Sequence, residues 1–81
     1  MMPTFKLAIV SPAKKIFGGE IDKVTLPGEE GRIGILCGHA PFLAALAKGT
    51  INVTSAREEK TFNIESGFVE ANEKGVTVLV N

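Results

Sequence analysis

The sequence predicts an all-β fold: a two-layer antiparallel β-sandwich, or flattened barrel, of about eight to ten short strands. Two observations lead there. Nine glycines and four prolines punctuate only 81 residues, and Val, Ile, Thr and Phe fill the intervals between them. The intervals are strand-length runs in which apolar residues recur at every second position, with turn residues roughly every 8–12 positions.

The elements follow in order. Phe5-Lys6-Leu7-Ala8-Ile9-Val10 sets Phe5, Leu7 and Ile9 on one face and stops at Ser11-Pro12. A longer run, Ile16 to Leu26, is interrupted by Gly18-Gly19. Ile21 is out of phase with Val24 and Leu26, which predicts a bulge near Asp22-Lys23. Pro27-Gly28 is a turn signal. Arg32–Leu36 is the next strand. Thr50–Thr54 alternates with Ile51 and Val53 inward, and Thr61–Glu65 repeats the pattern. The charged stretch Ala56-Arg57-Glu58-Glu59-Lys60 between them is the expected hairpin loop. Phe68–Ala71 and Val76–Val80 make a last pair around Asn72-Glu73-Lys74-Gly75. Pro41 to Gly49 is open to two readings. Pro at a first helical position and Gly at the end suit a short helix, whereas six apolar residues between punctuation suit a buried strand.

Length and composition bound the function. A chain of 81 residues makes one domain, spanning 1–81, and buries only about 60–65% of its unfolded surface, so the core is thin and a partner surface would support it. Cys37 is the only cysteine, which excludes an internal disulfide. Nine basic residues balance nine acidic ones, and Trp and Tyr are absent. Neither the positive field nor the stacking platform of a nucleic-acid binder is present. No apolar run approaches the ~20 residues of a membrane span, and the first residues lack the pattern of a signal peptide. Membrane association is therefore expected only through a partner.

Candidate chemistry is sparse. Cys37 and His39, two residues apart, would share a face if they lay on a strand, giving a conceivable nucleophile–base pair. The plainer reading is a small buried thiol beside a turn histidine, because no third group orients the base. A Ser11–His39–Asp22 triad can be assembled on paper, but nothing around Ser11 resembles a nucleophile elbow. One Cys and one His cannot form a structural zinc site. The glycine-rich Gly28–Gly34 lacks the Lys-Ser/Thr ending of a P-loop and carries two carboxylates, so its glycines are turn residues. No cofactor is expected. Asp22-Lys23 is a fragment of the lipoyl motif, and lipoyl or biotinyl carrier domains are also all-β and of this size. Lys23 nevertheless sits in a strand-like run and is followed by Val24 rather than a small residue, which leaves a carrier modified at Lys23 as the alternative.

Taken together, Val10-Ser11-Pro12 with Ile16-Phe17-Gly18-Gly19, Leu26-Pro27-Gly28-Glu29-Glu30-Gly31-Arg32-Ile33-Gly34, Gly38-His39-Ala40-Pro41, Gly67-Phe68-Val69-Glu70 and Val76-Thr77-Val78-Leu79 resemble, in this order, the epsilon subunit of F-type ATP synthases. The resemblance runs from about Phe5 to Val80. It implies a non-catalytic central-stalk piece of the rotor, which binds the gamma subunit and the polar loops of the c-ring and couples ion flow to ATP synthesis. It also implies a peripheral location on the cytoplasmic face of a bacterial inner membrane or an equivalent membrane. Ser11 and the corner His39, Ala40, Pro41 and Phe42 would lie near gamma, and Glu29, Glu30, Gly31 and Arg32 would face the ring. Phe42–Ala47 becomes a strand on this reading. Arg32 stands where members often carry a small or acidic residue, and Cys37 where many carry proline. The sequence stops at Asn81, where the family usually continues into a C-terminal helical hairpin with inhibitory behaviour. The resemblance therefore implies a coupling head without that brake.

Overall fold

In the computed structural model, which describes residues 3–56 and 58–81, every regular element is a strand: β1 (Phe5–Val10), β2 (Lys15–Ile21), β3 (Lys23–Gly28), β4 (Gly31–Leu36), β5 (Phe42–Leu46), β6 (Gly49–Thr54), β7 (Glu59–Ile64), β8 (Gly67–Asn72) and β9 (Gly75–Val80). They form one sheet in the order β2-β1-β9-β8-β5-β3-β6-β7, with β4 on the other side of β3. The sheet folds over on itself. One layer is β2-β1-β9-β8-β5 and the other is β4-β3-β6-β7, joined where Gly28 of β3 pairs with Leu46 of β5. All pairs are antiparallel but one: β1 runs parallel to β9, from Leu7↔Val76 to Val10↔Leu79. That pair departs from the antiparallel rule expected of the whole sandwich. Alternation cannot reveal it, because period-2 burial is the same for either direction.

The alternation itself holds. Phe5, Leu7 and Ile9 are buried, as are Ile51 and Val53, Val69 and Ala71, and Val76, Val78 and Val80. With Ile21, Val24, Leu26, Ile35, Leu46 and Ile64 they make a single aliphatic core, each large side chain contributing about 1.5–3 kcal/mol by leaving water. Among the described residues no polar or charged side chain is buried.

Three local details differ from the expected elements. The long run from Ile16 divides at Asp22, where the chain leaves β1 and joins the other layer. Asp22 N–H donates to Thr54 O at 2.8 Å, and this step is why Ile21 and Val24 can both point inward. Pro27-Gly28 belongs to β3 rather than to a turn. The reversal is the two-residue Glu29-Glu30 loop, closed by Gly28↔Gly31 and by Gly31 at φ 134°, a backbone region that favours glycine. Pro27 costs the ladder little there, since its carbonyl still accepts from Ala47 N–H at 2.8 Å. Glu59 and Lys60 of the expected Ala56–Lys60 loop already lie in β7, and Arg57 is outside the described residues. Within the Pro41–Gly49 stretch, Phe42–Leu46 is strand β5, paired along its length with β8, so the strand reading is the right one.

The edge strands β2 and β7 meet through side chains. The rings of Phe17 and Phe62 are edge-on with centroids 5.8 Å apart, and Lys60 Nζ lies 5.6 Å over the Phe17 ring. This contact holds the open side of the sandwich together without backbone pairing.

Candidate interaction face

Strand alternation that fills the core with one set of residues turns the other set outward. On the layer β2-β1-β9-β8-β5 the outward set is unusually apolar. Ala45 pairs with Phe68, Phe68 with Leu79, and Leu79 with Val10, so these four side chains form one row across four strands. Leu43 lies two residues from Ala45 on the same face. Leu43 is 72% exposed, Phe68 55% and Leu79 53%. A large apolar side chain left this open costs hydration free energy, and several in one row mark a surface built for a partner.

Part of each expected contact region borders this row: Ser11 of the one, and the Glu29–Arg32 hairpin of the other. At its β1 end, Ser11 and Pro12 flank a shallow depression of about 320 Å³ shared with Phe68 and Leu79. Ser11 is fixed there: its N–H donates to Lys14 O at 2.8 Å, and its hydroxyl accepts from Lys14 N–H at 3.2 Å. At the β5 end lies the β3–β4 hairpin. Glu29 N–H donates to Ala45 O at 3.0 Å, and Glu29, Glu30, Gly31 and Arg32 line a depression of about 490 Å³ together with Leu43 and Ala45.

Arg32 does not project from the tip. Its Nη2 donates to Thr25 Oγ1 at 3.2 Å and to Thr50 O at 3.0 Å, which draws the guanidinium back across β3 to β6. The exposed tip is thus the two carboxylates of Glu29 and Glu30. Arg32's partners lie 7 and 18 residues away in sequence, so only the register of β3 with β6 could have revealed them.

The His39 corner stands apart. Gly38 at φ 86° turns the chain out of β4, and His39 Nδ1 lies 3.1 Å from Leu36 O while Nε2 lies 3.1 Å from Asn72 O. The ring packs edge-on against Phe5 at 5.4 Å. Ala40 and Pro41 are exposed, whereas Phe42 is half-buried against the core, and the outward side chain next to it is Leu43. Ser11 and His39 lie at opposite ends of β1, about 20 Å apart at 3.3 Å per strand residue, so no Ser11–His39–Asp22 triad assembles. Cys37 lies in the turn after β4, not on a strand. It is exposed rather than buried, and its Sγ is 3.6 Å from Thr4 O. With both imidazole nitrogens against backbone carbonyls, neither is turned to the thiol. Among the described residues no three His, Cys, Asp or Glu side chains gather as a metal site would require. Lys23 starts β3 and is paired on both sides, with Leu36 and with Thr54, so it is not at the tip of a hairpin as a carrier lysine must be.

Residues 4–81 match the family described as ATP synthase, Delta/Epsilon chain, beta-sandwich domain. The chain belongs to that family. As an epsilon-type β-sandwich it is 44% identical over 80 residues to the ATP synthase epsilon chain of Bradyrhizobium sp. (strain ORS 278), covering 99% of this chain and 59% of that one. It is 37% identical over 78 residues to the ATP synthase epsilon chain of Caulobacter vibrioides, covering 96% and 91%. The epsilon-type chain thus spans 59% of the length of the Bradyrhizobium relative. Its fold is that of a chain in the Euglena gracilis mitochondrial ATP synthase structure comprising OSCP, F1 and c-ring (TM-score 0.89, 23% identity, 99% of this chain and 52% of that one). It is likewise similar to a chain in the central stalk and c-ring of the Tetrahymena thermophila mitochondrial ATP synthase (TM-score 0.83, 16% identity, 98% and 64%).

Proposed function

We propose that this protein is a non-catalytic central-stalk subunit of an F-type ATP synthase, which ties gamma to the c-ring so that ring rotation is coupled to ATP synthesis. The observation that carries the reading is the apolar outer row of Leu43, Ala45, Phe68, Leu79 and Val10, bordered at one end by Ser11 and at the other by the Glu29–Arg32 hairpin. Its membership of the epsilon family supports the choice of complex. Gamma covers the outer row and Ser11, with Ala40 and Pro41 at the margin. The Glu29-Glu30 tip meets the polar loops of the ring. The protein is then held at the cytoplasmic face of a bacterial inner membrane, or its equivalent, through these partners. A non-catalytic role suits a surface whose lone histidine is spent on backbone carbonyls.

Calorimetric titration of the purified chain into its cognate gamma subunit tests this. Saturable binding is expected, with an interface of about 1,600 Å² in total. Phe68→Glu and Leu79→Glu, which bury a charge in the contact, should each weaken it by roughly tenfold or more. Lack of binding by the unsubstituted chain, or full binding by both variants, refutes the assignment.

A further inference from the structure

The same outer face carries a second feature, which the apolar row does not use. Toward the start of β1 the face sinks into a depression of about 540 Å³, within the range of small-molecule sites. Lys6 of β1, Lys15 of β2 and Lys74 of the β8–β9 turn line it, and the one carboxylate among its lining residues is that of Glu20. In a chain of zero net charge, three of nine cations converge on one hollow.

Local structure places the three lysines around it. Lys15 folds back over Gly18, so that a Cβ built on that glycine would lie 2.7 Å from Lys15 Nζ. Gly18 is therefore the space the ammonium occupies. Lys74 is set by its turn, in which its N–H donates to Asn72 Oδ1 at 2.8 Å. Gly75, at φ 142°, brings the backbone so close to β1 that a Cβ there would lie 2.7 Å from Lys6 O. Glu20 is partly engaged elsewhere, accepting from Thr4 Oγ1 at 2.9 Å. Among the described residues the one ion pair within 4.0 Å is Lys60–Glu58, so none of the three ammoniums has a carboxylate partner at that distance. Because β2 is an edge strand, one of the adjacent N–H groups of Gly18 and Gly19 is also turned away from β1.

Three ammoniums around a single carboxylate leave an excess of like charge that repels itself, an arrangement that an anion relieves. Lysine binds phosphate as a point charge, and three such charges from three separate segments favour a ligand with more than one anionic oxygen group over a single carboxylate. We propose that this lysine-rimmed depression is a binding site for a small phosphate-bearing anion of about pyrophosphate size, whether free in solution or displayed as a lipid headgroup. The site does not depend on the gamma contact, since its lysines lie outside the apolar row.

The test is an amide NMR titration of the full chain with inorganic pyrophosphate, with ionic strength held constant by sodium chloride. Saturable shifts are expected at Gly18, Gly19, Gly75 and Thr77. A Lys15→Gln/Lys74→Gln pair should weaken binding by roughly tenfold or more, each lost charge-assisted contact being worth about a factor of ten. A Lys23→Gln/Lys48→Gln pair, away from the depression, should leave it unchanged. Gly18→Ala, which displaces Lys15 without removing its charge, should also weaken binding while the spectrum stays that of a folded chain. Co-sedimentation with phosphatidylglycerol vesicles but not phosphatidylcholine ones, lost in the Lys15/Lys74 variant, assigns the site to a headgroup. Pyrophosphate binding without vesicle binding assigns it to a soluble anion. Shifts that merely follow sodium chloride, equal weakening by both lysine pairs, or neither pyrophosphate nor vesicle binding overturns the proposal.

Discussion

His39 shows how one side chain can serve as a joint. Its ring spans from Leu36 O, at the end of β4, to Asn72 O, at the end of β8, and rests against Phe5 of β1. A neutral imidazole donates through one nitrogen only, and the imidazolium through both. The Nε2–H tautomer or the imidazolium donates to Asn72 O and so fastens the turn after β4 to the opposite layer, and the imidazolium alone bonds both carbonyls. His39→Ala removes these links together and should lower unfolding free energy by about 1–3 kcal/mol, read from urea midpoints at constant slope. An unchanged midpoint would mean that the turn is held by Gly38 and Pro41 alone. Arg32 is a second case of a side chain whose role depends on reach. Tied to Thr25 and Thr50, it leaves the hairpin tip negative.

Between strands, the Phe17–Phe62 contact bridges the edge strands β2 and β7, which do not pair with each other. A double-mutant cycle with Phe17→Leu and Phe62→Leu should give a coupling of about 0.5–1.5 kcal/mol in chemical denaturation. Zero coupling would show that the edges stand independently. Neither sequence spacing nor composition hints at this pair, because β2 and β7 are far apart in the chain and meet only once the sheet has curled. What was legible is what depends on near neighbours. Phe5, Leu7 and Ile9 declared a buried face by alternation, and Asn72–Gly75 declared a hairpin. The disturbance at Asp22 was visible as a phase error, although its meaning, a crossing between layers, needs Thr54 as partner. The outer apolar row left a trace in the sequence as well. Val76-Thr77-Val78-Leu79-Val80 keeps Leu79 on the wrong parity for a solvated face, and Phe68 breaks parity beside Val69 in the same way. Pro27-Gly28 misled because turn chemistry was read without the register that extends β3 through both residues.

Over the whole molecule, opposite ends of one face carry different chemistry: an acidic hairpin tip beside Leu43 and Ala45, and a lysine-rimmed hollow beside Ala8. Rim charges act mainly on encounter rates. Glu29→Gln/Glu30→Gln should therefore slow association with the isolated c-ring and flatten its dependence on salt, while leaving calorimetric affinity for gamma within about twofold. Equal salt slopes for variant and parent would remove the tip from the ring contact. The parallel β1–β9 pair has a consequence of another kind, in time rather than in space. Strand β1 is made well before its parallel partner at Val76–Leu79, with seven other strands between them in the chain. The hairpins β3–β4 and β6–β7 can form as they emerge, but the layer that carries the apolar row cannot close until Val76–Leu79 has been made. Contacts of such long sequence separation also make for slow folding. Until Val76–Leu79 is made, β1, with Phe5, Leu7 and Ile9 on its inner side, lacks its β9 neighbour. A nascent chain of this protein is thus an early client for whatever shields apolar strands at the ribosome exit.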